Sequence, residues 1–201
     1  MKAEGPPRVD GRTLRGQRTR AALVNTVLAM VERGELRLTA PSIAAAAGVS
    51  IRSLFQHFPD LESLWVAAAD KTIETTLPLL SPLPKEGPFE ERLAAFLDQR
   101  CKVLELTTPI RRAASLLAPF SEEMRRRFEN ARRIGVEELE RVFTPELARC
   151  PDALRARVFS AVEISSSWLT WESLRRVRGL SREESRAVLE HMLRAVLEPY
   201  V

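Results

Sequence analysis

The chain has 201 residues, of which 45% are hydrophobic, and a formal net charge of +4. This length can bury a sizeable core in one or two closely packed domains. No apolar run approaches the roughly 18 residues that span a bilayer, and the polar, proline-rich start lacks the apolar region of a signal peptide. The two cysteines, Cys101 and Cys150, indicate neither a disulfide framework nor a zinc site. We therefore expect a cytoplasmic protein with no membrane partner.

Positive charge is concentrated at the N-terminal end. Residues 1–60 hold nine lysines and arginines against five acidic residues, whereas residues 61–201 hold twenty-two of each. A basic segment of this kind is typical of nucleic-acid binding, and a solubilising tail is the alternative for residues 1–11. The arginines that could neutralise phosphates lie on the tail and at the start of a first helix predicted over about 15–33: Arg8, Arg12, Arg15, Arg18 and Arg20.

Residues 38–58 predict a helix-turn-helix. Thr39 can cap a short helix, Gly48 can end it, and Ser50 can cap a second helix that runs to about His57. One side of the pair is apolar. The other side of the second helix carries groups that can meet phosphates and base edges, namely Arg52, Ser53, Gln56 and His57. A generic helical hairpin is the alternative, and the neighbouring basic segment favours the DNA-binding interpretation.

The remaining patterns are also helical, so we expect an all-α fold of about nine helices, with no β-alternation and no internal repeat. A helix-turn-helix head occupies residues 1–60, and a helical body for effector binding and dimerisation occupies residues 61–201. Within the body, a helix over 61–77 forms a connector, and a proline-rich linker covers 78–88. The further predicted helices cover about 89–106, 109–118, 121–143, 151–177 and 181–197.

The helix-turn-helix resembles that of the TetR family of transcriptional repressors. The resemblance is carried by Ile43-Ala44, Ala47-Gly48-Val49-Ser50 and Ser53-Leu54-Phe55-x-His57-Phe58. It implies a nine-helix homodimer with a three-helix DNA-binding head, a connecting fourth helix, and a body that binds an effector and dimerises through its last two helices. Positions that match the family's phosphate contacts are Thr39, Ser53 and His57, and those that match its base readers are Ile51, Arg52 and Phe55. Together with Ser50 and Gln56, these are the residues that we expect to bind DNA.

Two positions depart from the family pattern. Phe55 stands where tyrosine is usual, so a phenolic hydrogen bond is lost while contact with a thymine methyl is kept. Leu61 stands where a lysine often begins the fourth helix. Arg52 is the best candidate for bidentate recognition of a guanine, and a phosphate-facing arginine is the alternative. For His57, a core or surface histidine without a DNA role is the alternative.

The body offers candidates for an effector pocket. Its aromatic and thioether side chains favour an apolar or weakly polar small molecule, although most of these residues have the spacing of core positions. Ser165-Ser166-Ser167 indicates close helix approach at a dimer interface, with hydroxyls in a ligand cavity as the alternative. The candidate lining residues are Trp65, Phe96, Cys101, Phe120, Met124, Phe128, Phe159, Trp168 and Trp171.

No phosphate loop, metal-ligand spacing or nucleophile elbow occurs in the sequence, so we expect neither an enzyme nor a cofactor. The function we expect is a ligand-responsive transcriptional repressor that binds double-stranded DNA as a homodimer on a palindromic operator. An alternative is a helical binding protein that keeps this fold, has lost DNA affinity and acts through a protein partner. A small helical enzyme would need a pocket with convergent titratable groups.

Overall fold

The computed structural model describes residues 11–201, with side chains from Thr13 onward. Within this range the regular elements are helical and there is no strand, which confirms the all-α fold class. Short 3-10 turns occupy Leu77–Leu79, Ala118–Phe120 and Glu198–Tyr200. The α-helices are α1 (Gly11–Glu32), α2 (Ala40–Ala46), α3 (Ile51–His57), α4 (Leu61–Thr76), α5 (Phe89–Ala114), α6 (Glu122–Val142), α7 (Thr144–Arg149), α8 (Asp152–Ser165), α9 (Trp168–Glu172) and α10 (Arg182–Leu197).

Helix α5 passes through Pro109, so the predicted break between residues 106 and 109 is wrong. Proline has no backbone N–H, and the carbonyl of Glu105 therefore loses its helical partner. The turn before the proline is reinforced by two hydroxyls. Thr107 donates to the carbonyl of Val103 at 2.8 Å, and Thr108 donates to that of Leu104 at 2.6 Å.

The predicted helix over 151–177 is divided at its serines. Ser166 is the C-terminal cap of α8, and Ser167 begins α9 by accepting a hydrogen bond from the Thr170 backbone at 3.2 Å. After α9 the chain makes a π-helical turn over Ser173–Val177. Serine hydroxyls compete for backbone groups, which favours a helix end over a helix interior. The six-residue helix α7 was not predicted, and it raises the number of α-helices in the described range to ten.

The chain divides into two compact units. The first unit ends at Thr72 and also includes Pro109–Ser121, and the second comprises Ile73–Thr108 and Glu122–Val201. The division thus falls inside α4 and inside α5, whereas the sequence placed a domain boundary after residue 60. The predicted linker over 78–88 belongs to the second unit.

The second unit has an apolar core that encloses one ion pair. Phe96, Trp171 and Leu193 are among its fully buried side chains. Arg92 Nη2 lies 2.5 Å from Glu146 Oε1, and Arg92 also donates to the carbonyl of Val142 at 2.5 Å. Both charged side chains are buried. The pair joins α7 to α5 with nearly every donor used, which is the arrangement that a buried charge requires.

The described residues contain neither a membrane-spanning helix nor a metal-binding cluster. None of the described helices combines the length and the apolar character needed to cross a membrane. Within the same residues, no cluster of three or more histidine, cysteine, aspartate or glutamate side chains could hold a metal ion.

Candidate nucleic-acid interface

The first three helices pack around a small apolar core in the first unit. Val27 of α1, Ile43 of α2 and Leu54 of α3 have no exposed surface, and neither does Phe58, which ends α3. These residues orient α3, because its buried stripe faces α1 and α2. The opposite stripe of α3 must then face outward.

Local hydrogen bonds fix the ends of α2 and α3. Thr39 and Ser42 form a capping box, with Thr39 N–H donating to Ser42 Oγ at 2.9 Å and Ser42 N–H donating to Thr39 Oγ1 at 3.3 Å. Ser50 Oγ accepts from the Ser53 backbone at 3.1 Å. Between the helices, Gly48 has φ +66°, a left-handed conformation that suits glycine. The predicted start, turn and second cap of the helix-turn-helix are therefore confirmed.

Four side chains form the outward stripe of α3, which we call the recognition face: Ile51, Arg52, Phe55 and Gln56. All four are exposed, Ile51 and Phe55 to 45% and 44%. The guanidinium of Arg52 makes no hydrogen bond or ion pair with any described residue. The face therefore combines an unpaired cation and an amide with two apolar groups. These are the chemistries that contact guanine, adenine and the thymine methyl.

The hydroxyl and imidazole side chains predicted to bind DNA differ in how much hydrogen-bonding capacity they keep. The hydroxyl oxygens of Thr39 and Ser50 are engaged in capping, although both residues are exposed. Ser53 and His57 are half-buried at the edge of the recognition face. His57 lies beside α1, since a Cβ added to Gly16 would be 3.7 Å from its Cε1 atom. Its ring is thus at the surface of the head and not in the core.

Arg20 holds the C-terminal end of α3. Its Nη1 donates to the carbonyl of His57 at 2.7 Å, and its guanidinium carbon lies 4.0 Å from the centre of the Phe58 ring. A cation suits a helix C-terminus, where unpaired carbonyls carry partial negative charge. The sequence grouped Arg20 with arginines that neutralise phosphates. The structure shows that one of its N–H groups holds α3 in place, a role that the sequence did not predict.

Among the other arginines predicted to neutralise phosphates, Arg15 and Arg18 have described side chains. Arg15 and Arg18 are exposed on α1, and their guanidinium groups bond to no described residue. Arg8 and the side chain of Arg12 lie outside the part of the chain that is described. The guanidinium groups of Arg15 and Arg18 are therefore available for phosphates.

The first residues of α4 are fixed by a side chain that comes before them. Asp60 Oδ1 accepts from the Ser63 backbone at 2.7 Å. This hydrogen bond lowers the pKa of Asp60 from its ordinary value of 3.8. Leu61, where the TetR pattern often has lysine, is half-buried. The start of α4 is therefore capped by an anion and offers no cation to DNA.

The nine residues predicted to line an effector pocket are distributed over both units. Trp65 and Phe120 belong to the first unit and the other seven to the second. Phe120 is 91% exposed, so its ring encloses nothing. Trp65 and Met124 are buried, and Phe128 is half-buried.

The remaining predicted lining residues belong to the core of the second unit. Phe96, Cys101 and Trp171 are fully buried there, with Phe159 and Trp168 packed against them. Trp168 Nε1 donates to Thr108 Oγ1 at 3.1 Å, and Trp171 Nε1 donates to Glu105 at 3.2 Å. Burial raises the pKa of the Cys101 thiol to about 11. These contacts fit a packed core, which was the alternative that the spacing suggested.

The second unit has an open groove of about 710 Å³ between α6, α7 and α8. Among the nine predicted residues, Phe159 lines it. Its lining is mixed, because apolar side chains alternate with Glu140, Asp152 and Arg155. The full lining consists of Val136, Glu140, Thr144, Leu147, Ala148, Asp152, Arg155, Ala156 and Phe159.

Comparison with known proteins assigns no family. The chain matches no family model and no curated protein. The resemblance to TetR repressors therefore depends on the sequence of residues 43–58 alone.

Proposed function

We propose that this chain is a transcriptional repressor of the TetR type that reads double-stranded DNA with α3. One observation carries the proposal, namely that α3 buries Leu54 and Phe58 while leaving the whole recognition face exposed. A helix held in this way can enter the major groove while the packing of the first three helices stays intact.

The chemistry of the recognition face supports base readout. Arg52 can direct two N–H groups at the O6 and N7 atoms of guanine, and Gln56 can pair with adenine. Ile51 and Phe55 offer apolar contact to thymine methyl groups. Around this face, Ser53 and His57 can donate to phosphates, as can Arg15 and Arg18 on α1.

A homodimer is the second part of the proposal. Two recognition helices on one side of DNA need half-sites about 34–36 Å apart or a multiple of that spacing, and hence a palindromic operator. In the second unit, Ile164 of α8 is 64% exposed and Leu169 of α9 is 72% exposed. A C2 pairing of the α8 to α10 region would cover such side chains.

One feature favours a different partner. Ile51 and Phe55 together place two large apolar groups on an exposed surface, and this is also typical of protein–protein contacts. A protein of this fold that no longer binds DNA would use the same face for a protein partner.

Selection of binding sequences from randomised duplexes, followed by fluorescence anisotropy across a salt series, tests the proposal. We expect enrichment of a palindrome. Arg52→Ala should weaken its binding by about 1 to 3 kcal/mol and relax the base preference at one position of each half-site. The matched control is Arg178→Ala, an exposed arginine of the second unit, which should bind as the parent does. If no duplex is enriched even at low salt, DNA recognition is excluded and the protein-partner alternative is favoured.

A further inference from the structure

Arg100 is a cation inside the second unit that has only one bonded partner. It lies on α5, and its Nε donates to the carbonyl of Ser166 at 2.8 Å. Among the described residues, its two amino groups, Nη1 and Nη2, donate no hydrogen bond, and no carboxylate lies within ion-pair distance. Desolvation by burial lowers the pKa of Arg100. A guanidinium in such surroundings is expected to be paired.

Helix α6 makes room for this guanidinium. A Cβ at Gly135 would lie 2.6 Å from Nη1 and 3.3 Å from Nη2, closer than side chains pack. The group therefore occupies the space of the missing side chain. Glycine in a helix interior costs roughly 0.5–1 kcal/mol relative to alanine. This cost falls at Gly135, the position where α6 makes space for the Arg100 guanidinium.

Nearby carboxylates are already engaged elsewhere. Glu138 and Glu163 both influence Arg100 electrostatically. Glu138 accepts from Gln99 at 2.9 Å, and Glu163 pairs with Arg132 at 2.7 Å. Arg100 is half-buried, and its unpaired amino groups are not fully enclosed by the protein. They therefore keep some contact with solvent.

We propose that Nη1 and Nη2 of Arg100 bind the carboxylate of a small organic monoanion. The two parallel donors of a guanidinium match the two oxygens of a carboxylate. A monoanion fits better than a phosphate dianion, because Glu138 and Glu163 are close and would repel a second negative charge.

The bond to Ser166 links this site to the proposed regulation, and this step rests on the proposed function. Arg100 holds the carbonyl at the end of α8, where the chain breaks before α9. A carboxylate on Nη1 and Nη2 attracts the same rigid guanidinium whose Nε holds this carbonyl, and its binding therefore alters the hydrogen bond at the break. If the anion and DNA favour different states, each lowers the affinity of the other by the same factor.

Isothermal titration calorimetry on the full chain without DNA tests the site. The probes are acetate, benzoate and octanoate, each beside its uncharged amide, together with inorganic phosphate. We expect at least one carboxylate to saturate one site per chain and to bind about tenfold or more tightly than its amide. Arg100→Gln should lose about tenfold or more of that affinity, and so should Gly135→Ala, whose methyl displaces the guanidinium. Arg125→Gln, an exposed arginine of α6, is the matched control and should bind as the parent does.

Several results would overturn the proposal. They are the absence of saturable carboxylate binding, tighter binding of phosphate than of every carboxylate, and unchanged affinity in Arg100→Gln. Should Arg100→Gln fail to fold, Gly135→Ala decides, since it keeps every charge.

The carboxylate that binds is then added to the complex with the selected duplex. Carboxylate binding without any DNA binding refutes the regulator and leaves the site intact, whereas DNA binding without carboxylate binding refutes the site alone.

Discussion

Several arginines of the first unit are unpaired, whereas several of the second unit are bound to carboxylates. In the first unit, Arg15, Arg18 and Arg52 are exposed and bond to no described residue. In the second, Arg92 and Arg194 each reach a carboxylate at 2.5 Å, and Arg175 reaches one at 2.9 Å. An arginine that already has a carboxylate stabilises the fold and gains little from a phosphate. Under the proposed function, the unpaired cations of the first unit are the ones that would gain a phosphate partner.

The largest expected effect is in the second unit. Glu146→Gln leaves Arg92 as an uncompensated buried charge, and we expect the free energy of unfolding to fall by about 3–5 kcal/mol. Urea unfolding followed by circular dichroism measures this loss. The double variant Arg92→Met/Glu146→Leu removes both charges and should recover much of the stability. If Glu146→Gln unfolds at the parent's urea concentration, the pair does not hold α7 in place.

A smaller effect is expected for Arg20, whose guanidinium is already bonded within the first unit. Arg20→Ala removes one bond to the α3 terminus and the contact with Phe58, and should cost about 1 kcal/mol of stability. DNA affinity should fall for all sequences alike, with base preference unchanged and faster amide exchange in α3. Arg18→Ala, on the same helix, is the control. It should reduce the salt dependence of DNA binding by about one unit of slope without changing amide exchange. A changed base preference in Arg20→Ala would show that Arg20 itself reads DNA.

The smallest effect concerns a carboxylate of the first unit and depends on pH. Because the Ser63 N–H lowers the pKa of Asp60 in the folded state, the contribution of this cap is complete above the ordinary pKa of 3.8. It is lost as the pH falls through the lower, folded value. The amide chemical shift of Ser63 should report this titration. Asp60→Asn caps without titrating and should abolish it, and a persistent titration in that variant would assign it to another group.

Sequence reasoning succeeded in the first unit where the decisive interactions are local. Thr39 with Ser42 and Ser50 with Ser53 are three residues apart, and the left-handed Gly48 lies between them. Each can be recognised from spacing alone. Arg20 and His57 are 37 residues apart, and no local pattern indicates that a side chain of α1 ends α3.

Along α5 and in the second unit, the same rules gave the right type of element but not its limits. Pro109 has the signature of a helix start, yet α5 continues through it. The aromatic residues were candidates for a pocket and for a core alike, because both are apolar at helical spacing. The partners that separate these outcomes, such as Thr108 for Trp168, are 60 residues away in sequence. No sequence pattern indicated that Arg100 lacks a carboxylate partner, because this depends on which other residues already bind Glu138 and Glu163.

The composition of the first unit has a consequence for how this protein can be divided by recombination. Because Pro109–Ser121 belongs to the same unit as the helix-turn-helix, the head is not encoded by one continuous stretch. Within it, Ser121 donates a hydrogen bond to Glu62. A gene fusion that joins residues 1–60 or 1–72 to the body of another protein would omit Pro109–Ser121 from the first unit. A fusion that is to keep the first unit intact must therefore include more of the chain than the helix-turn-helix motif.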